Sequence, residues 1–130
     1  MVIQKSAWIC IENQLILTTR SRNKDVFYIP GGKPEKGESN VQALIREIKE
    51  ELTVDLNLDS IEFLGVFEAQ AHGHPSGTTV QMNCYGGAYS GILQPHTEIA
   101  EIAWLSYAEK HKTSHVDHLI FDWLKSNHQL

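Results

Sequence analysis

Three glutamates, Glu47, Glu50 and Glu51, sit in a run of helix-forming residues, and their spacing is that of one helical face. With Glu47 at the origin of a wheel that advances about 100° per residue, Glu50 falls near -60° and Glu51 near +40°. The apolar residues Val41, Leu44, Ile45, Ile48 and Leu52 cluster on another face, roughly 120° away. One face is suited to packing on a core; the other offers carboxylate oxygens. Oxygen donors with no thiolate nearby suit a hard divalent cation, Mg²⁺ or Mn²⁺. Without a cation or a basic neighbour, three such charges repel one another. Acidic helices in general are solvated faces. The context here is different: a glycine-rich loop, Gly31 to Glu38, precedes the helix, and Arg46 adjoins the first of the three glutamates.

The segment from Gly32 to Val54 resembles the signature box of the Nudix hydrolases. Gly32, Glu38, Arg46, Glu47, Ile48, Glu50, Glu51 and Val54 match it, and Thr53 stands where the family has glycine. Gly32-x₄-Gly37-Glu38-Ser39 is also one residue away from a phosphate-binding P-loop. That reading fails because Glu38 occupies the position of the lysine that must meet the β- and γ-phosphates. The resemblance implies an α/β fold, a mixed β-sheet sandwiched between α-helices. It also implies a reaction in which water cleaves a pyrophosphate bond while metal ions bridge the phosphates. On that basis Glu47, Glu50 and Glu51 are metal ligands, and a backbone carbonyl at Gly32 is an additional one. Glu47 or a nearby carboxylate takes the proton from water. Arg46 pairs with a neighbouring carboxylate and orients it. Glu38 stabilises the junction of loop and helix. The expected enzyme is Mg²⁺-dependent and acts on a nucleoside di- or triphosphate; the alternatives are a sugar nucleotide or dinucleotide such as ADP-ribose, and a non-catalytic nucleotide-binding module. Retention of all three glutamates favours catalysis.

Outside the box, Glu98 and Glu101 are further acidic candidates, and Glu98 is preferred because it lies in a loop, where a side chain can reach a site. Arg20 and Arg22 are candidate phosphate contacts or else plain loop residues. Trp8, Phe27 and Tyr28 could stack on a nucleobase, although a strand aromatic such as Trp8 more often packs a core. His72 and His74 share one-face strand spacing, and His111, His115 and His118 share helical spacing. No cysteine lies near either group, so a structural zinc site is not expected; the His72–His74 loop is better suited to contacting a phosphate or base.

The elements that must hold these residues can be read in outline. Residues 2–11 and 14–20 read as strands joined by a turn at Asn13-Gln14. Residues 26–29 read as a short strand ended by Pro30-Gly31-Gly32. Ser39 is the expected N-cap of a helix running to about Leu52. The family glycine replaced by Thr53 falls where helices often end in a left-handed residue. Thr53 is expected to take that conformation under strain, and Thr53→Gly to stabilise the fold by about 1 kcal/mol. Residues 61–71, 78–90 and 99–105 read as strands, with Gly86-Gly87 marking a bulge or a close backbone approach. Ser114 and Asp117 form a capping signal for a last helix whose apolar set is Val116, Leu119, Ile120, Trp123 and Leu124.

The 130 residues are expected to form a single domain. The net charge of -5 argues against nonspecific nucleic-acid binding but not against a small phosphorylated ligand met through a metal. Cys10 and Cys84, the two cysteines, are expected to be buried free thiols. With no apolar run long enough for a bilayer or a signal segment, a cytoplasmic monomer or homodimer without membrane partners is expected.

Overall fold

A computed structural model describes residues 1–130. Strand β1 (Val2–Trp8) turns into β2 (Ile11–Glu12), which forms a hairpin with β3 (Leu15–Ser21). Asn13 and Gln14 both have positive φ, 53° and 60°, as a two-residue hairpin turn that follows the strand twist requires. β4 is the pair Gly31–Gly32. Helix α1 (Asn40–Leu52) follows, then β5 (Asp55–Leu56), β6 (Glu62–Gln70), β7 (Thr79–Gly86), β8 (Tyr89–Ser90), β9 (Ile99–Leu105) and helix α2 (His115–Ser126). One sheet has the order β4-β1-β7-β6, with β1 parallel to β7 and the other pairs antiparallel; a second has the order β2-β3-β9.

The sheets lie between the two helices. On one side Leu44, Ile48 and Leu52 of α1 pack with Trp8, Leu17 and Val54. On the other, Val116, Ile120, Phe121 and Leu124 of α2 pack with Ala7, Ile9, Met82 and Cys84. This is the expected mixed-sheet sandwich. Cys10 and Cys84 are free and buried, and burial pushes both thiols up to about 12.

Several elements differ from the sequence reading. Residues 26–29 do not form a strand; Tyr28 and Phe27 make only isolated bridges, to Thr19 and Thr113. The pairing passes instead to Gly31 and Gly32, which lie opposite Ala7 and Ser6 of β1. The strand expected at 78–90 ends at Gly86. There the chain passes so close to Ile61 that a Cβ on Gly87 would meet Ile61 Cγ1 at 3.2 Å. In α2 Leu119 is 43% exposed and Phe121 is buried. The buried stripe centres on Asp117, Ile120, Phe121 and Leu124, which turns Leu119 outward.

Candidate active site

Helix α1 starts with a reciprocal cap. Ser39 Oγ accepts the Gln42 amide at 3.1 Å, and Gln42 Oε1 accepts the Ser39 amide at 2.8 Å. This fixes the helix phase, which buries the apolar face and turns Arg46, Glu47 and Glu51 towards the cavity that Gly31 and Gly32 border, while Glu50 stays exposed beside Arg46. At the other end Thr53 adopts the left-handed conformation, φ 63° and ψ 19°, as its place in the box demands. Its hydroxyl donates to the Ile92 carbonyl at 3.1 Å.

Arg46 is the hub of the glutamates. Nε and Nη2 grip the Glu38 carboxylate at 2.7 and 3.0 Å, and Nη1 donates to Glu47 Oε1 at 2.7 Å. Glu50 lies at 3.6 Å from the same Nη1 and is more than half exposed. The Arg46 hydrogen bonds hold the Glu38 carboxyl down at about 2. Glu38 also accepts the Glu35 amide at 2.9 Å, so one residue ties loop to helix.

Gly32 lies against Glu47. A Cβ there would stand 2.4 Å from Glu47 Cδ, so glycine makes room for the carboxylate. Glu51 is only 6% exposed. Burial, then a hydrogen bond with Glu47 and the charges of Glu47 and Glu98, push its carboxyl up to about 9. As they stand, no three His, Cys, Asp or Glu side chains are gathered closely enough to enclose an ion. The donor chemistry nevertheless fits a hard divalent cation. Burial and the neighbouring carboxylates keep a proton on Glu51, and a divalent cation would take that proton's place.

Glu98 reaches this region because its loop is sewn to the end of α1. The amides of Gln94 and His96 donate to the carbonyls of Leu52 and Glu51, and His96 Nδ1 lies 3.1 Å from the Glu50 carbonyl. These bonds satisfy helix carbonyls that have no partner within the helix.

Gly32, Glu47, Glu51, Arg46 and Glu98 border a cavity of about 440 Å³. Its other end is lined by Ile3, Lys5, Tyr28, Val80, Met82 and Val116, among others, with His72 and His74 on a loop at the edge. His72 Nε2 lies 3.0 Å from Asp25 Oδ1, a contact between two loops.

The other sequence candidates fall elsewhere. Arg20, expected at a phosphate, faces Glu101 across the β3–β9 ladder and pairs with it at 2.7 Å, outside the cavity. Phe27 packs against the α2 core and does not border the cavity. Trp8 is fully buried, with Nε1 donating to the Gly87 carbonyl at 3.1 Å. Ser114 occupies the N-cap of α2, but its hydroxyl donates to Asp117 Oδ2 at 2.8 Å instead of accepting a helix amide. Asp117 is 1% exposed, and burial raises its carboxyl to about 7.

Sequence reasoning did not find Lys5, Lys33 or His96 as site residues. Lys5 carried a readable signal: in Ile3-x-Lys5-x-Ala7-x-Ile9 a lysine takes an apolar phase of the strand. His96 carried none, because its partner is a carbonyl made free by the end of a distant helix.

The family model for the NUDIX domain matches residues 4–124. A comparison with curated proteins gives no match. Among solved structures, a nudix hydrolase family member from Chromobacterium violaceum is 26% identical, with a TM-score of 0.76, covering 97% of this chain and 78% of that one. The E. coli ORF135 protein is 25% identical, with a TM-score of 0.76, covering 96% and 89%. The E. coli dihydroneopterin triphosphate pyrophosphohydrolase, 21% identical with a TM-score of 0.74 over 98% and 99%, shares the fold.

Proposed function

The chain belongs to the Nudix hydrolase family, and we propose that this pyrophosphohydrolase cleaves a nucleoside di- or triphosphate with the help of Mg²⁺ or Mn²⁺. The observation that carries the reading is the buried Glu51 beside Glu47 and Gly32, in a cavity that Ile3, Val80, Met82 and Val116 also line. A volume of about 440 Å³ is near the lower end for small-molecule sites, which supports one nucleotide over a dinucleotide.

Glu47, Glu50, Glu51 and the Gly32 carbonyl would hold the cation. Bound there, it supplies Lewis acidity towards the phosphate oxygens and the attacking water. Arg46 fixes the orientation of Glu47. Glu98 is the proton acceptor in this reading. Glu47 has one carboxylate oxygen taken up by the Arg46 guanidinium, whereas Glu98 borders the cavity from a loop and forms no ion pair. Lys33, next to Gly32 at the same border, neutralises phosphate charge. Tyr28 offers a flat ring to the base. No helix is long and apolar enough to cross a membrane, and the proposed partner is a small nucleotide.

The test is hydrolysis of a panel of nucleoside di- and triphosphates, sugar nucleotides and dinucleotides in ¹⁸O-water, with and without Mg²⁺, with products identified by mass. Expected are metal-dependent cleavage of a nucleoside di- or triphosphate and label in one product only. Turnover of the sugar nucleotides or dinucleotides alone would refute the substrate class; release of free base would refute the chemistry.

A further inference from the structure

Strand β1 serves two cores. Trp8 packs on the α1 side, whereas Ala7 packs on the α2 side. Alternation along the strand puts Lys5 on the Ala7 side, together with Ile3. In the parallel register Ile3 lies beside Val80 and Lys5 beside Met82, and all four line the cavity. Lys5 is thus a cation set beside Ile3, Val80 and Met82, in the same cavity as Glu47 and Glu51 and near enough to Glu51 for the two charges to act on each other.

No side chain of the fold forms an ion pair or hydrogen bond with this ammonium. The ion pairs leave it out, and it lies 5.9 Å from the centre of the Tyr28 ring. The charges of Asp117 and Glu51 act on Lys5 from either side, against those of Lys33 and Lys24, and Asp117 has a buried Oδ1 with no hydrogen-bond partner. Burial lowers the Lys5 pKa, so keeping the charge there is costly unless a ligand oxygen takes it up. A lysine that breaks the apolar pattern of a strand at a cavity wall marks function better than stability.

Resting on the nucleotide reading above, we propose that Lys5 is a specificity-determining residue whose ammonium donates to a ring carbonyl oxygen of the substrate's nucleobase. The phosphates belong at the α1 end, where the glutamates and Lys33 are. The floor beside Tyr28, Val80 and Met82 suits a flat, partly apolar ring. A base carbonyl is the group of such a ring that a three-donor cation takes best. Adenine has no ring carbonyl and offers Lys5 only ring nitrogens, which accept in a different place from a carbonyl oxygen, and this disfavours it.

Initial rates on GTP, CTP, UTP and ATP test this in the parent enzyme, in Lys5→Met, which keeps length and apolar volume, and in Lys5→Arg, which keeps a charged donor. For the parent, kcat/KM on the carbonyl-bearing nucleotides should exceed that on ATP by about 10- to 100-fold. Lys5→Met should reduce that ratio by about tenfold or more, and Lys5→Arg should recover part of it. Should Lys5→Met lose its folding transition, the ratio is read on Lys5→Gln. An equal loss on all four nucleotides marks a phosphate contact and overturns the assignment, as does an unchanged ratio. A parent enzyme that hydrolyses none of the four, nor any of the corresponding diphosphates, overturns the nucleotide reading itself, and the role of Lys5 with it; an active parent with an unmoved ratio overturns the role of Lys5 alone.

Discussion

Replacing Gly32 with alanine should damage the site while leaving the fold almost intact. The new Cβ would lie 2.4 Å from Glu47 Cδ, 2.6 Å from Oε2 and 2.8 Å from Cγ. Ordinary contact begins at 3.4 Å, so the carboxylate must retreat by between about 0.6 and 1 Å, the differences from 2.8 and 2.4 Å. What gives way is the end of a flexible side chain, so the pairing of Gly32 with Ser6 can stay. Losing the Arg46–Glu47 bond at a partly exposed site costs about 1 kcal/mol. The lower chain entropy of alanine in the unfolded state stabilises by about 0.4–1 kcal/mol. The two nearly cancel, and the melting temperature should move by no more than a few degrees. Turnover should fall on the order of 100-fold, the usual consequence of a 1 Å misplacement at a reacting centre. Pyrophosphate or phosphate release across a Mg²⁺ titration, alongside thermal unfolding, measures both. Parent-like turnover at parent-like Mg²⁺ would show that Glu47 does not work from the position it holds here. A large drop in melting temperature would show that the backbone, not the side chain, absorbs the clash. Gly31→Ala is the contrast: its Cβ would lie 1.9 Å from the Ser6 carbonyl oxygen at a φ of +151°. Backbone meets backbone there, and destabilisation beyond about 3 kcal/mol is expected in urea unfolding.

Glu51→Gln should weaken Mg²⁺ binding and lower turnover by orders of magnitude with the fold retained; a glutamine variant as fast as the parent would remove Glu51 from the cation site. Thr53→Gly relieves left-handed strain but also loses the hydroxyl bond to Ile92, so the stabilisation expected from the sequence shrinks to within about 0.5 kcal/mol of the parent. Thr53→Ala keeps the strain and loses the bond, and should be destabilised by about 0.5–1.5 kcal/mol in urea; equal stability of Thr53→Ala and the parent would show that the bond contributes nothing. Asp117, at about 7 in the folded chain, keeps a proton that the unfolded chain gives up near pH 4. Its contribution to stability is therefore complete below about pH 4 and is lost as pH rises to about 7, by roughly 4 kcal/mol from that shift. Urea midpoints taken between pH 4 and 8 should fall in the parent and fall less in Asp117→Asn; identical slopes would mean that Asp117 ionises normally.

What the sequence determined by itself is what short-range forces decide. The face shared by Glu47, Glu50 and Glu51, the Ser39 cap, the Asn13-Gln14 turn and the left-handed Thr53 depend on residues within a few positions of one another. Helix periodicity and local hydrogen bonds settle such features wherever the segment finally packs. The spacing of the box adds the family and hence the layer order of the sandwich. Tertiary structure decided everything that joins distant segments. The pairing of Gly31-Gly32 with β1 in place of a strand at 26–29, the Arg20–Glu101 ion pair and the His96 loop that carries Glu98 to α1 each link segments far apart in the chain. So does the side of β1 on which Lys5 lies. Two strands can satisfy their backbone equally well in several registers. The choice among these comes from the total apolar surface buried on both faces, a sum over the whole chain that no local window contains.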